Sequence, residues 1–171
     1  MNDMMALATQ VGKILQAKGL LLATAESCTG GGVAQAITEI AGSTAWFDCG
    51  FVTYSNASKS AMLDISPALL AQFGTVSEEV AVAMAEGALA NSNAHVALST
   101  TGIAGPSGAV PGKPVGTVCF AWSLGKAGQT PQATHSERLV FNGDRQAVRE
   151  QSVTYALQGL LRFLENLPAP V

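Results

Sequence analysis

Thr24-Ala25-Glu26-Ser27-Cys28-Thr29-Gly30-Gly31-Gly32 is the stretch that decides how the chain folds. An apolar run at 20–23 enters it, and Val33, Ala34, Ile37, Ile40 and Ala41 leave it at helical spacing, which predicts strand, tight polar turn, then helix. A helix beginning near Thr29 would leave several N–H groups without intrahelical partners, facing the turn. Helped by the helix dipole, such donors suit a phosphate or a developing oxyanion. Ser27 would stand just in front of them. Glycine costs about 1 kcal/mol relative to alanine inside a helix, so three in the first turns imply that something approaches the backbone closely. The plainer reading is tight packing of helix on strand, with Ser27 and Thr29 competing to cap the helix.

Outward from this stretch the same alternation continues. Met4, Leu7, Ala8, Val11, Ile14 and Leu15 repeat at helical spacing before it, with Gly19 as the stop. The strand at 20–25 is nearly all apolar, as in a sheet covered on both faces. After the helix expected at 29–41 come a strand at 45–54, a short helix at 57–63 capped by Ser55-Asn56, and a second short helix opened by Ser66-Pro67 and closed by Gly74. Ser77-Glu78-Glu79 opens an alanine-rich helix reaching Asn91, whose composition implies close packing on the sheet or on a second subunit. Strands follow at 96–101, 115–123 and 133–141, and a long Gly/Pro loop at 102–114 separates the first two. Asn142-Gly143-Asp144 then caps a final helix that Pro168 ends. Helices alternate with strands first and a hairpin comes later, so the expected fold is α/β: a three-layer α/β/α sandwich with a mixed, partly parallel sheet. We expect a single domain over residues 1–171.

Composition narrows the function. Of 171 residues, 48% are hydrophobic and only 12% charged, a balance often found in oligomers. The net charge of −3 and the lack of a basic cluster argue against nucleic-acid binding. No apolar run is long enough to span a bilayer, and the start Met1-Asn2-Asp3-Met4 has no positive charge, so neither a membrane segment nor a signal peptide is indicated. Three scattered cysteines, Cys28, Cys49 and Cys119, suit reduced thiols in a cytoplasm. His95 and His135 are isolated from carboxylate or cysteine clusters, so neither a metal nor another cofactor is expected.

In an open parallel sheet, ligands gather at the carboxyl ends of strands. Three polar exits can converge there: Glu26-Ser27-Cys28, Tyr54-Ser55-Asn56 with Lys59 behind it, and Thr100-Thr101-Gly102. Standard nucleotide loops and G-x-S-x-G are absent. With no histidine in place, the base for a Ser27 nucleophile would be one of five lysines, and Lys59 alone follows a strand exit. It would act only if burial or nearby positive charge lowered a pKa that is about 10.4 in water. Tyr54 would carry the proton or fix the geometry. Cys28 is a rival nucleophile, since a helix N-terminus lowers a thiol's pKa. As alternatives, Lys59 is an ordinary surface lysine and Tyr54 only closes a strand.

Thr24-Ala25-Glu26-Ser27-Cys28-Thr29-Gly30-Gly31, Gly50-Phe51-Val52-Thr53-Tyr54-Ser55-Asn56 with Lys59, Gly102-Ile103-Ala104-Gly105-Pro106, Lys113-Pro114-Val115-Gly116-Thr117-Val118, and Gly143-Asp144-Arg145 with Val148-Arg149 together resemble one family. It is the C-terminal domain of competence/damage-inducible protein A, whose enzymatic members are nicotinamide mononucleotide deamidases. The likeness covers nearly the whole chain and looks like the stand-alone form, without the N-terminal domain of longer members. It implies hydrolysis of nicotinamide mononucleotide to nicotinic acid mononucleotide and ammonia, a step of pyridine-nucleotide salvage. Ser27 is the implied nucleophile and Lys59 the base, with Tyr54 assisting. The backbone at Cys28, Thr29, Gly30 and Gly31, the loop residues Thr101, Gly102, Ala104 and Gly105, and Arg145 would hold the substrate. The implied partners are a small-molecule nucleotide and a second copy of the chain, in a dimer or larger assembly. Arg145 could instead be structural, paired with an acid across a subunit interface. The competing class is a non-catalytic module of the same family that binds a nucleotide or a partner protein.

Overall fold

The computed structural model describes residues 3–167. Helix α1 (Asp3–Lys18) leads to strand β1 (Leu22–Glu26), then α2 (Gly32–Thr38), a single 3₁₀ turn (Ser43–Ala45) and β2 (Phe47–Val52). Next come α3 (Asn56–Leu63), α4 (Pro67–Phe73), α5 (Glu78–Ala90), β3 (Val96–Gly102), β4 (Thr117–Leu124), β5 (Ala133–Val140) and α6 (Arg145–Glu165). The five strands lie in the order β2-β1-β3-β4-β5, with β1 parallel to β2 and β3, and β4 antiparallel to β3 and β5. The expected α/β sandwich with a mixed sheet is the observed one. Pro168, expected to end the last helix, and Met1-Asn2 lie outside the described residues.

Side chains alternate across a strand, and here the two faces differ in size. Leu22, Val96, Leu98, Val118, Phe120 and Trp122 fill one face beneath α1, α2 and α6. Ala23, Ala25, Ala97, Cys119 and Ala121 line the other. The small face lets α5 lie close, with Val80, Ala81, Met84, Ala85 and Ala88 turned inward. That answers the alanine-rich helix: its buried side meets the sheet. On the far side of α5, a Cβ at Gly87 would stand 2.2 Å from the Leu63 carbonyl oxygen, so α3 is seated directly on α5. On the large face Trp122 is wholly buried and its indole N–H donates to the Ala156 carbonyl at 3.0 Å. A buried indole is thereby satisfied.

The topology places a crevice. From β1 the chain crosses one face through α2 to reach β2, then crosses the other face through α3, α4 and α5 to reach β3 on the opposite side of β1. The strand order therefore reverses at β1, and the helices on its two sides leave a gap at its carboxyl end. Ser27 follows Glu26, the last residue of that strand. No helix among the described residues is long and apolar enough to cross a membrane.

Candidate active site

Ser27 is held by its own backbone: its N–H donates to the Thr100 carbonyl of β3 at 2.9 Å, continuing the pairing of β1 with β3 past the end of the strand. Lys59 comes from α3. Ser55 caps that helix by accepting from the Ser58 N–H at 3.1 Å, and the Ser58 hydroxyl accepts from the Ser55 N–H at 3.2 Å. This reciprocal cap fixes the helix start, and Lys59 follows one residue later, pointing inward. Its Nζ lies 3.0 Å from Ser27 Oγ and donates to the Thr53 carbonyl at 2.8 Å.

Lys59 is wholly buried and forms no ion pair among the described residues. Loss of hydration disfavours the ammonium, and its pKa falls to about 8. Cys28 moves the opposite way. Buried, its thiol is pushed up to about 12, so it stays protonated at neutral pH. The expected lowering of its pKa by a helix N-terminus is corrected, because burial outweighs the backbone hydrogen bond and nearby positive charges that favour the thiolate, and the helix starts further on.

The turn differs from expectation in an informative way. Gly30 (φ 60°) and Gly31 (φ 96°) adopt left-handed conformations, so they form a turn and α2 begins only at Gly32. Only glycine takes such angles without strain, which explains two of the three glycines. Neither Ser27 nor Thr29 caps α2, whose capping position is Gly31 with no side-chain bond. The fully buried Glu26 does the work instead, accepting from the Val33 N–H at 2.8 Å and the Ala34 N–H at 3.1 Å. The start of α2 is thus filled from inside by a carboxylate and is not open to a phosphate. Gly30 N–H is also taken, by the Ser27 carbonyl at 3.1 Å. The N–H groups of Cys28 and Thr29 make no hydrogen bond to another residue among the described residues.

A cleft of about 220 Å³ opens over Ser27, lined by Cys28, Tyr54, Thr75, Gly102, Ala104, Gly105 and Arg145 among others. Seven of the residues singled out in the sequence therefore share one wall: Ser27, Cys28, Tyr54, Gly102, Ala104, Gly105 and Arg145. Thr29, Gly30, Gly31 and Thr101 do not line it. The Thr29 hydroxyl bonds Glu26 at 2.6 Å and Thr100 at 2.8 Å, and the Thr101 hydroxyl donates to the Thr75 carbonyl at 2.8 Å. Both threonines are committed to the framework.

Tyr54 is 61% exposed, and its hydroxyl accepts from Arg145 Nη2 at 2.9 Å. It makes no hydrogen bond with Ser27 or Lys59, which already touch each other, so a relay between them through Tyr54 is not the observed geometry. Arg145 also donates through Nη1 to the Gly105 carbonyl at 2.7 Å. One guanidinium thus ties the exit of β2 to the 103–116 loop across the mouth of the cleft. It pairs with no acid among the described residues.

Two participants were not assigned a role from the sequence. Arg149 donates to the carbonyls of Cys28 (3.1 Å) and Thr29 (3.4 Å), gripping the Ser27 turn from outside. Thr75 lines the cleft, its hydroxyl bonded to Asn56 at 2.8 Å. A basic residue one helical turn after Arg145 was the available signal for Arg149; Thr75 offered none. Among the described residues no group of three His, Cys, Asp or Glu side chains is arranged to hold a metal ion.

Residues 4–164 match the model of the CinA C-terminal domain. The chain is 51% identical over 166 residues to the nicotinamide-nucleotide amidohydrolase PncC of Escherichia coli strain K12, covering 96% of this chain and 98% of that one. It is 49% identical over 163 residues to the protein of the same name from Pseudomonas putida, covering 95% and 98%. Among solved structures, the competence damage-inducible protein A (ComA) of Klebsiella pneumoniae superposes with a TM-score of 0.90 at 38% identity, over 98% of this chain and all of that one.

Proposed function

The chain belongs to the CinA C-terminal domain family, and we propose that it is a nicotinamide-nucleotide amidohydrolase that works through Ser27 and Lys59. The observation that carries this reading is the buried Lys59, without an ion pair among the described residues and with its pKa brought down to about 8, in contact with Ser27 at the floor of a cleft. A module that only bound a nucleotide would gain nothing from a lysine so readily deprotonated beside a serine.

In the proposed reaction, neutral Lys59 donates one N–H to the Thr53 carbonyl and turns its lone pair toward the Ser27 hydroxyl. As Ser27 Oγ bonds to the carboxamide carbon of nicotinamide mononucleotide, its proton passes to Nζ. The Cys28 and Thr29 N–H groups, next along from the nucleophile, receive the oxyanion, where one donor is worth about 3 kcal/mol. Collapse breaks the C–N bond, and the ammonium of Lys59 returns its proton to the leaving nitrogen, which departs as ammonia. Water then attacks the acyl-serine ester, losing its proton to Lys59, which passes it to Ser27 as nicotinic acid mononucleotide leaves. Arg145 and the 102–105 backbone hold the remainder of the nucleotide, with Tyr54 steadying the guanidinium. Residues 1–171 act as a single catalytic domain, and the reaction serves pyridine-nucleotide salvage.

The test is ammonia release from nicotinamide mononucleotide by the purified protein with no metal added. Release by the wild type and none by Lys59→Met supports the reading. Binding of the nucleotide without release by either would favour the non-catalytic module.

A further inference from the structure

We propose that Glu26 is a positioning residue for Ser27, acting through Thr29 and the start of α2. The inference rests on the amidohydrolase reading and adds a residue to it. Glu26 is a wholly buried carboxylate immediately before the nucleophile, and it meets three donors: the Thr29 hydroxyl at 2.6 Å, the Val33 N–H at 2.8 Å and the Ala34 N–H at 3.1 Å. Starting a helix of seven residues does not call for a buried charge, since an exposed serine or aspartate at the cap serves the same end, as Ser55 and Ser66 do for α3 and α4. A buried carboxylate is strongly disfavoured unless every contact is made. Once made, such charge-assisted bonds are short and well directed.

These contacts close a ring around the nucleophile. Glu26 holds the Thr29 hydroxyl, the same hydroxyl bonds Thr100 Oγ1 at 2.8 Å, and the Thr100 carbonyl accepts the Ser27 N–H at 2.9 Å. Ser27 thus sits on a loop of bonds whose two ends are both on β3, while Arg149 grips the Cys28 and Thr29 carbonyls from the other side. A nucleophile displaced by 1 Å can lose about a hundredfold in rate, so a ring that fixes the turn acts on the chemical step more than on substrate affinity.

The direction of Glu26 matters as much as its bonds. It faces α2, whereas Lys59 arrives on α3, which packs on α5 across the opposite face of the sheet. The carboxylate nearest the nucleophile in sequence is therefore committed to α2 and forms no ion pair with Lys59 among the described residues. A carboxylate against Nζ would favour the ammonium and remove the base.

The experiment measures kcat and KM for ammonia release from nicotinamide mononucleotide by wild type, Glu26→Gln, Thr29→Val and Thr29→Ser, with folding of each checked by circular dichroism and thermal melting. Glu26→Gln replaces one acceptor oxygen by an NH₂ group facing a donor; Thr29→Val removes the hydroxyl; Thr29→Ser keeps it. The expected result is a fall in kcat of at least tenfold for Glu26→Gln and Thr29→Val, KM within twofold of wild type, and Thr29→Ser close to wild type. Folded Glu26→Gln or Thr29→Val with kcat within twofold of wild type would overturn the proposal, as would an equal loss in Thr29→Ser. If Glu26→Gln does not fold, the two Thr29 variants decide. Should wild type release no ammonia from this nucleotide, the substrate assignment fails separately. Labelling of Ser27 by a small fluorophosphonate, in which Oγ displaces fluoride from phosphorus and its proton goes to Lys59, then reads the same question. Slower labelling in Thr29→Val but not Thr29→Ser supports the role of the ring, and equal rates overturn it.

Discussion

Lys59 Nζ and Ser27 Oγ lie 3.0 Å apart although 32 positions separate them in the chain. They meet because β1 stops where the strand order reverses and because α3, seated on α5, delivers a long side chain to that point. The lysine is buried with two oxygens and, among the described residues, no carboxylate paired to it, an environment that favours its neutral form.

Activity should therefore follow deprotonation of Lys59. Below its pKa the ammonium has no lone pair to offer Ser27, so kcat/KM should rise with pH and level off above about 8. At pH 7 about one molecule in ten would carry the neutral form. Lys59→Arg, charged at every pH in that range, should be inactive throughout. Initial rates between pH 6 and 9.5 check both statements.

The same residue should mark stability. Its ordinary value of 10.5 applies in the unfolded chain, and the folded value is lowered to about 8. Below pH 8 both states hold the proton and the folded state bears the full desolvation penalty. From about 8 to 10.5 the unfolded state binds more protons, so stability rises with pH on account of this group, by up to about 3 kcal/mol. Lys59→Met lacks that contribution. Urea unfolding of the two proteins should show wild type gaining on the variant across this range.

Cys28 should prove inert as a nucleophile. Its thiol, held near 12 by burial, offers almost no thiolate at neutral pH. Cys28→Ala keeps the backbone N–H and should retain most of kcat. The same variant should leave the rate of inactivation by a serine-directed fluorophosphonate nearly unchanged.

Tyr54 and Arg145 should behave as a unit. Their 2.9 Å hydrogen bond spans the mouth of the cleft, with Arg145 also on the Gly105 carbonyl. Tyr54→Phe and Arg145→Ala should each raise KM more than they lower kcat. A double-mutant cycle should show coupling of about 1 kcal/mol, because the second change removes a contact already lost.

Gly87→Ala links packing to chemistry. The added methyl would meet the Leu63 carbonyl at 2.2 Å, and α3 must move to admit it. Overpacking of this kind typically costs about 1–3 kcal/mol. Since α3 carries Lys59, the variant should lose stability and kcat together, measurable by chemical denaturation and steady-state rates.

Much of this was legible in the residues. Helical spacing, apolar strands and turn residues marked the six helices and five strands but not the 3₁₀ turn at Ser43–Ala45, and capping signals at Ser55, Ser66, Ser77 and Asp144 marked four helix starts. Ser27 and Lys59 could be paired because each follows a strand exit in an open parallel sheet. The start of α2 was misplaced by three residues, since the spacing of Val33 and Ile37 is the same wherever the helix begins, whereas left-handed angles at Gly30 and Gly31 depend on the folded turn. The contacts of Glu26 and Arg149 were not legible for a related reason, although the spacing of Arg149 from Arg145 was a signal. Their partners are mostly backbone N–H and carbonyl groups, which any sequence supplies. The bond between the Tyr54 hydroxyl and Arg145 was not legible, because nothing in the spacing says that this hydroxyl meets an arginine 91 positions later.

If Ser27, activated by Lys59, opens the carboxamide, ammonia release from nicotinamide mononucleotide must depend on its hydroxyl, and wild type and Ser27→Ala, each shown to be folded, are compared side by side. Steady release by wild type and a loss of at least about a thousandfold in Ser27→Ala is the predicted result. Comparable release by the two proteins would contradict the account, since the carboxamide would then be opened without the residue on which the site is built.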